Sequence, residues 1–211
     1  MILQNKKLTF YSIIGNIIIG IGVATIHLAG FGIDPFTSMT MGTSHLLGVG
    51  LGLFQMCINI LIYIPVLLMN KKAFGIGACF NLLCIGYIVE YVGKFYQMIG
   101  LDSLLSHVII RFMILLIGVI VVCFGCALYM DCQSGVAPYD AIAPLIEEKT
   151  DGKIKFKYAR IMTDVLVATI GLVTGFLGNI TTIGIATVIV AAGTGPIVSF
   201  FRQRVVSKMI A

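Results

Sequence analysis

Long runs of apolar residues alternate with short, more polar connections along the whole chain. A helix needs about 20 apolar residues to cross the hydrocarbon core of a bilayer, and six runs approach or reach that length. The pattern therefore predicts an all-α, polytopic membrane protein with six transmembrane helices. We place these spans at 8–30, 51–69, 74–92, 107–129, 157–177 and 181–201. The first run is too long for a cleaved signal peptide, and no clear small-residue cleavage site follows it.

The second half of the chain echoes the first half. Residues 32–38 read Gly-Ile-Asp-Pro-Phe-Thr-Ser, and residues 135–141 read Gly-Val-Ala-Pro-Tyr-Asp-Ala. Both copies follow an apolar run and precede a stretch too short to span. A unit of three spans crosses the membrane an odd number of times, so its second copy must be inverted, as in many transporters. The sequence thus predicts two inverted three-helix repeats, 1–105 and 106–211, within one integral membrane domain.

Two further features recur in the same order in both halves. Gln55 and Asn59 of the second span have the same i, i+4 spacing as Arg160 and Asp164 of the fifth span. The third and sixth spans open with similar glycine-containing triplets, at residues 75–77 and 184–186.

Composition supports a membrane environment. Hydrophobic residues make up 59% of the chain, charged residues make up 11%, and the mean hydropathy is +1.06. Soluble domains carry about 25% charged residues, so the expected partner of this surface is the lipid bilayer. The net charge of +5 comes from basic residues at the ends of the apolar runs. No basic patch is interleaved with aromatic residues, and we expect no nucleic-acid partner.

The distribution of Lys and Arg predicts the orientation. With six spans, one side carries only Lys94 and, at a helix end, Arg111. The other side carries Lys6, Lys7, Lys71, Lys72, Lys149, Lys153, Lys155, Lys157, Arg202, Arg204 and Lys208. The positive-inside rule then predicts a multi-pass protein of the cell membrane with both termini in the cytoplasm.

The two prolines of the repeated element open short helices. Asp34 is a good N-cap residue, and a proline favours the first helical turn. We expect a short interfacial or re-entrant helix after the first span of each repeat, at 35–47 and 138–149. The 193–196 segment, Gly-Thr-Gly-Pro, is expected to kink the sixth span. Candidate gating or backbone elements are Gly32, Asp34, Pro35, Gly135, Pro138, Asp140, Gly195 and Pro196.

Four polar side chains inside spans are candidates for a substrate site. A lone carboxylate such as Asp164 within a span costs about 2.5–3.5 kcal/mol on insertion scales, and Arg160 lies one turn away on the same face. The pair either locks helix packing or faces a polar cavity, where Asp164 binds a proton, a cation or a cationic substrate. Gln55 and Asn59 either join helices or complete that cavity, since two-fold symmetry would bring both pairs to one centre.

Other chemistry is not indicated. His27, His45 and His107 do not form a metal-ligand pattern, and a Cys-x-x-Cys at 123–126 inside a span is a weak signal without a second ligand pair. The chain lacks a nucleotide-binding Gly-x-x-x-x-Gly-Lys-Ser/Thr motif. We expect no metal, no cofactor and no enzymatic activity.

The same motifs carry a resemblance to a known family. The Gly-x-x-Pro elements at Gly32 and Gly135, the Arg160–Asp164 pair and the 193–196 segment resemble those of the YczE/YyaS/YitT family of bacterial integral membrane proteins. The resemblance covers nearly the whole chain. It implies a small polytopic architecture and a membrane location, but it implies no substrate.

Three functions agree with these features. The first is a small secondary transporter or facilitator of a small polar solute. The second is a substrate-capture subunit of a multi-subunit importer, and the third is a membrane scaffold or regulator with no transport of its own. Glycine-rich spans also permit a homo-oligomer or a membrane partner protein.

The charge distribution generates a test of orientation. A cysteine at position 152, in a cysteine-free background, should react with a membrane-impermeant thiol reagent only after the cells are opened. Labelling of that position in intact cells would contradict the orientation.

Overall fold

A computed structural model describes residues 6–69, 75–132 and 134–210, and these residues form helices joined by turns, without a strand. The helices are α1 (Lys6–Ala29), α2 (Pro35–Leu47), α3 (Leu51–Met69), α4 (Ile76–Met98), α5 (Val108–Asp131), α6 (Ile142–Lys149), α7 (Phe156–Leu177), α8 (Ile185–Phe201) and α9 (Ser207–Ile210). A 3-10 turn at Leu101–Ser106 precedes α5, and a π-helical turn at Arg202–Val206 follows α8. Lys71 and Lys72, and the predicted start of the third span at residue 74, lie outside the described residues.

Five of these helices are long and apolar enough to cross a membrane, namely α1, α3, α4, α5 and most of α7. A sixth span forms if Ile185–Ala191 and Pro196–Ile210, which meet at an angle of 45°, are taken together. This bend falls between Ala191 and Pro196, at the 193–196 segment where the sequence predicts an interruption or kink. Proline favours a bend there because it has no N–H for the helical hydrogen bond. Helix α4 continues to Met98, past the predicted end of the third span at residue 92, and Lys94 in this extension pairs with Glu90 at 2.6 Å.

Helices α1 and α5 pack against each other with their backbones in contact. A Cβ atom on Gly15 would lie 2.9 Å from the Gly125 carbonyl oxygen, and one on Gly22 would lie 3.1 Å from that of Gly118. The later glycine of one helix faces the earlier glycine of the other, so the two helices run antiparallel. Small residues allow this approach, which is typical of helix pairs in membranes.

Each loop that follows one of these central helices hydrogen-bonds to the start of a helix in the other half. Gly32 and Gly135 adopt φ angles of 93° and 97°, which only glycine adopts readily. In the first loop, the Phe31 carbonyl accepts from Ala186 N–H at 2.9 Å. In the second loop, the Ser134 carbonyl accepts from Ala78 N–H at 3.2 Å.

The two short helices differ. Helix α2 begins at Pro35 as predicted, and the Asp34 carboxylate accepts a hydrogen bond from Thr37 N–H at 3.0 Å. Helix α6 begins at Ile142, so the prediction that Pro138 opens it is wrong, and Pro138 lies in a turn. Two residues explain the difference. Ala137 stands where the first copy has its capping Asp34, so no side chain caps a helix at Pro138. Pro144 favours a position in the first turn of α6, because the missing N–H of proline costs nothing there.

Helix α2 packs closely on α7 through small residues. A Cβ atom on Gly42 would lie 3.1 Å from the Gly171 carbonyl oxygen, and the Ser38 hydroxyl donates to the Thr182 carbonyl at 2.6 Å beside this contact. Helix α6 also packs on α7, but it touches α3 only marginally. Leu145 of α6 packs against a buried cluster that contains Tyr63 of α3.

The contact between α1 and α5 generates a stability prediction. Gly125→Ala should lower the free energy of unfolding by about 1–3 kcal/mol, because the new methyl group overlaps the Gly15 backbone. Gly93→Ala is the matched control, since nothing lies within 4 Å of a Cβ atom on Gly93 of α4, and alanine favours a helix. Thermal unfolding in detergent micelles measures both variants. Equal behaviour of the two would contradict the close contact.

Candidate functional site

Arg160 of α7 bridges two carboxylates. Its Nε donates to Asp164 Oδ2 at 3.2 Å, and a terminal nitrogen donates to Asp140 Oδ1 at 2.8 Å. Arg160 and Asp164 lie one helical turn apart on the same face, as the i, i+4 spacing predicts. Asp140 comes from the turn that precedes α6, so the network joins a loop to a membrane-spanning helix.

Tyr139 completes this network. Its hydroxyl donates a hydrogen bond to Asp164 Oδ1, so both oxygens of that carboxylate are used. The Arg160 guanidinium lies over the Tyr139 ring, 4.7 Å from its centroid. The same ring stacks on Phe36 at 4.6 Å between centroids. Burial, and then the hydrogen bond to Asp164, raise the pKa of Tyr139, which keeps the hydroxyl protonated as a donor.

A third carboxylate belongs to the same electrostatic environment. Asp34 caps α2 and lies close enough to Arg160 to interact with it. Burial raises the pKa of Asp34, while the hydrogen bonds from Thr37 and the charge of Arg160 act in the opposite direction. Arg160 thus pairs with two carboxylates, Asp140 and Asp164, and its charge also acts on the buried Asp34 carboxyl group.

Helix α5 closes another side of the site. The Tyr129 hydroxyl donates to the Gly135 carbonyl at 3.1 Å and so holds the second loop in place. Sequence reasoning did not select Tyr129, Phe36 or Tyr139 as site residues. The aromatic residue after each repeated proline was the one signal that pointed to Phe36 and Tyr139.

Gln55 and Asn59 lie on α3 and are buried, with 4% and 1% of their surfaces exposed. Gln55 Oε1 and Asn59 Nδ2 have no hydrogen-bond partner among the described residues. Their neighbours Ile58 and Ile62 pack against the Phe36–Tyr139 pair. Within the described part of the chain no hydrogen bond joins the two amides to the ion pair, so a shared cavity of all four residues stays a prediction.

The remaining candidates have structural positions. Gly32 and Gly135 shape the two loops, while Gly195 and Pro196 lie in α8, which packs on α5. Within residues 6–69, 75–132 and 134–210, no group of three His, Cys, Asp or Glu residues is arranged to hold a metal ion.

Comparison with known proteins places these motifs in a family. A profile described as a family of unknown function, DUF6198, matches residues 6–203. An uncharacterized protein of Haemophilus influenzae is 26% identical over 187 residues, which cover 87% of this chain and 78% of that protein. The uncharacterized membrane protein YczE of Bacillus subtilis is 26% identical over 193 residues (91% and 83%), and YyaS of the same organism is 25% identical over 165 residues (78% and 80%). The resemblance to YczE and YyaS is therefore confirmed. No solved structure matches the chain.

The geometry of Tyr139 generates a second stability prediction. Tyr139→Phe keeps the ring stacked on Phe36 but removes the donor to Asp164, so the free energy of unfolding should fall by about 1–3 kcal/mol. Tyr91→Phe is the control, because Tyr91 is 64% exposed on α4 and surface changes cost less than about 0.5 kcal/mol. Denaturation of both variants in the same micelles tests the difference. A neutral Tyr139→Phe would show that Asp164 does not depend on this hydroxyl.

Proposed function

The chain belongs to DUF6198, a family of unknown function, and from its residues we propose that it is a small secondary transporter or facilitator of a small polar solute in the cell membrane. The observation that carries the proposal is the network of Arg160 with Asp140 and Asp164. Ionisable groups within membrane-spanning helices are costly, and they mark ion or substrate pathways by default. This network joins the loop of the second half to the spanning helix α7, and its Tyr139 stacks on Phe36 from the loop of the first half. Substrate sites lie at such an interface in transporters built from repeats.

An inverted repeat is part of the proposal, and the central glycines support it. Three glycines of the first half recur in the second half at one constant separation: Gly15, Gly22 and Gly32 correspond to Gly118, Gly125 and Gly135. In space the pairing is crosswise, since Gly15 faces Gly125 and Gly22 faces Gly118. A two-fold axis through the contact of α1 and α5 would produce this crosswise pairing.

The aromatic pair and the loops support the same axis. Phe36 and Tyr139 are equivalent at the same separation, and they stack on each other. The hydrogen bonds of the loops are reciprocal, because the Gly32 loop binds the start of α8 and the Gly135 loop binds the start of α4. We propose that the axis lies in the membrane plane and passes between these two rings.

The departure from symmetry supports a gating role for the short helices. Helix α2 packs closely on α7 through Gly42 and Gly171. At the same separation along the chain, the equivalent residues of α6 and α3 are the larger Leu145 and Leu68. If the two halves exchanged these packing arrangements, α2 would move away from α7 and α6 would pack more closely on α3. We propose that this exchange gives the site access to alternate sides, and that α6 lies on the cytoplasmic side with both termini.

The proposal predicts the effect of neutralising Asp164. Asp164→Asn should reduce solute flux into proteoliposomes about tenfold or more while expression and fold are kept, since one amide replaces the charge that holds Arg160. Asp151→Asn, in an exposed loop, is the matched control. The double variant Arg160→Met/Asp164→Leu separates packing from function, because a buried pair that only locks helices tolerates apolar replacement.

The measurement is uptake of a panel of small polar solutes by liposomes with equal amounts of each variant. Full flux in both Asp164→Asn and the double variant, with normal expression, would reduce Asp164 to a structural residue. No Asp164-dependent flux of any solute in the wild type would contradict transport.

A further inference from the structure

We propose that the two ends of the chain together bind an anionic glycerophospholipid of the membrane leaflet that they face. The first turn of α1 and the segment that follows α8 carry exposed basic side chains next to exposed aromatic rings. We define the terminal surface as Lys6, Arg204 and Lys208 with the rings of Phe10 and Phe200. The inference does not depend on transport.

The start of α1 and the end of the chain lie side by side. The Lys7 Nζ donates a hydrogen bond to the Ile210 carbonyl at 3.4 Å. Val206 is fully buried, and Tyr11 of α1 packs against the cluster that contains it. Basic residues from opposite ends of the sequence therefore share one end of the folded chain.

A π-helical turn anchors the end of the chain in this position. The Ser207 N–H donates to the Arg202 carbonyl five residues earlier, which is the π-helical pattern. Val206 of this turn lies in the core, while Arg204 and Lys208 are exposed. Single π-helical turns are frequent at functional sites. The basic side chains thus extend from a helix that is fixed to the core, and not from a free tail.

The charges of the terminal surface have no acidic partner in the described part of the chain. Asp131, at the end of α5, already accepts a hydrogen bond from Arg202 Nε at 2.6 Å. Among the described residues, Lys6, Arg204 and Lys208 form no ion pair. Basic groups next to a membrane surface attract anionic lipids. Their charge is therefore available to a lipid phosphate.

The exposed rings distinguish a lipid from a soluble anion. Phe10 is 62% exposed and follows Lys6 by four residues, and Phe200 is 59% exposed and precedes Arg204 by four residues. Residues four apart lie on about the same helix face, one turn apart. Each pair places a basic group at the helix end and an apolar ring towards the span. A phospholipid has its phosphate and its acyl chains in the same order.

The test is lipid binding by the full chain in detergent micelles, measured by native mass spectrometry. The probes are a phosphatidylglycerol and a phosphatidylcholine with identical acyl chains, offered at equal concentrations. The wild type should bind the phosphatidylglycerol about tenfold more tightly. Glycerophosphoglycerol, which is the same headgroup without acyl chains, should not compete even in large excess, because it cannot cover the two rings.

Two triple variants separate a specific surface from general attraction between basic residues and anionic lipid. The first neutralises the terminal surface and is Lys6→Gln/Arg204→Gln/Lys208→Gln. The matched control removes three charges from exposed positions at the end of α6 and after it and is Lys149→Gln/Lys153→Gln/Lys155→Gln. The first variant should lose the tenfold preference, whereas the control should change it less than about twofold.

Two further variants keep the inference testable if the first variant does not fold. Lys6→Arg/Lys208→Arg keeps the charges and should keep the preference. Arg204→Gln alone changes one exposed side chain and should reduce the preference about threefold.

Three results would overturn the inference. The first is equal binding of both lipids by the wild type. The second is an equal loss of preference in both triple variants, which would show general attraction to basic residues. The third is competition by glycerophosphoglycerol, which would show a site for a soluble anion.

Discussion

The contact between the α1 and α5 backbones is the constraint on which the rest of the structure depends. Lipid provides no hydrophobic force between helices, so close packing of backbone on backbone must hold them together. Glycines that face each other across the two helices allow this contact, and larger residues in their place would separate the helices. Because Gly32 and Gly135 follow these two helices closely, the contact also sets where both loops end.

From that arrangement the site follows. The two loops bring Phe36 and Tyr139 face to face, and the second loop brings Asp140 into an ion pair with Arg160 of α7. A carboxylate such as Asp164 inside a spanning helix is tolerated because both of its oxygens accept hydrogen bonds. The network therefore joins a loop to a helix and also forms a polar surface within an apolar structure, and these two properties suit a gated binding site.

Local sequence signals predicted much of this structure. The bounds of α2 and α3 coincide with the predicted ones, and Asp34 and Pro35 mark the start of α2 through local backbone chemistry. The i, i+4 spacing of Arg160 and Asp164 predicted their ion pair, because residues at this spacing share a helix face. The predicted start of α6 was wrong, because Ala137 cannot cap as Asp34 does and Pro144 favours the first turn of a helix that begins later.

By itself, the sequence determined the all-helical class, the approximate bounds of the spans and the pairing of Arg160 with Asp164. Apolar run length and helical periodicity act over a few turns and need no knowledge of distant residues. Only the tertiary structure decided that Asp140 is the second partner of Arg160 and that Tyr139 donates to Asp164. It also decided that Gln55 Oε1 and Asn59 Nδ2 have no hydrogen-bond partner among the described residues. These contacts join elements far apart in the chain, and the packing of helices in three dimensions, which no local pattern records, sets their distances.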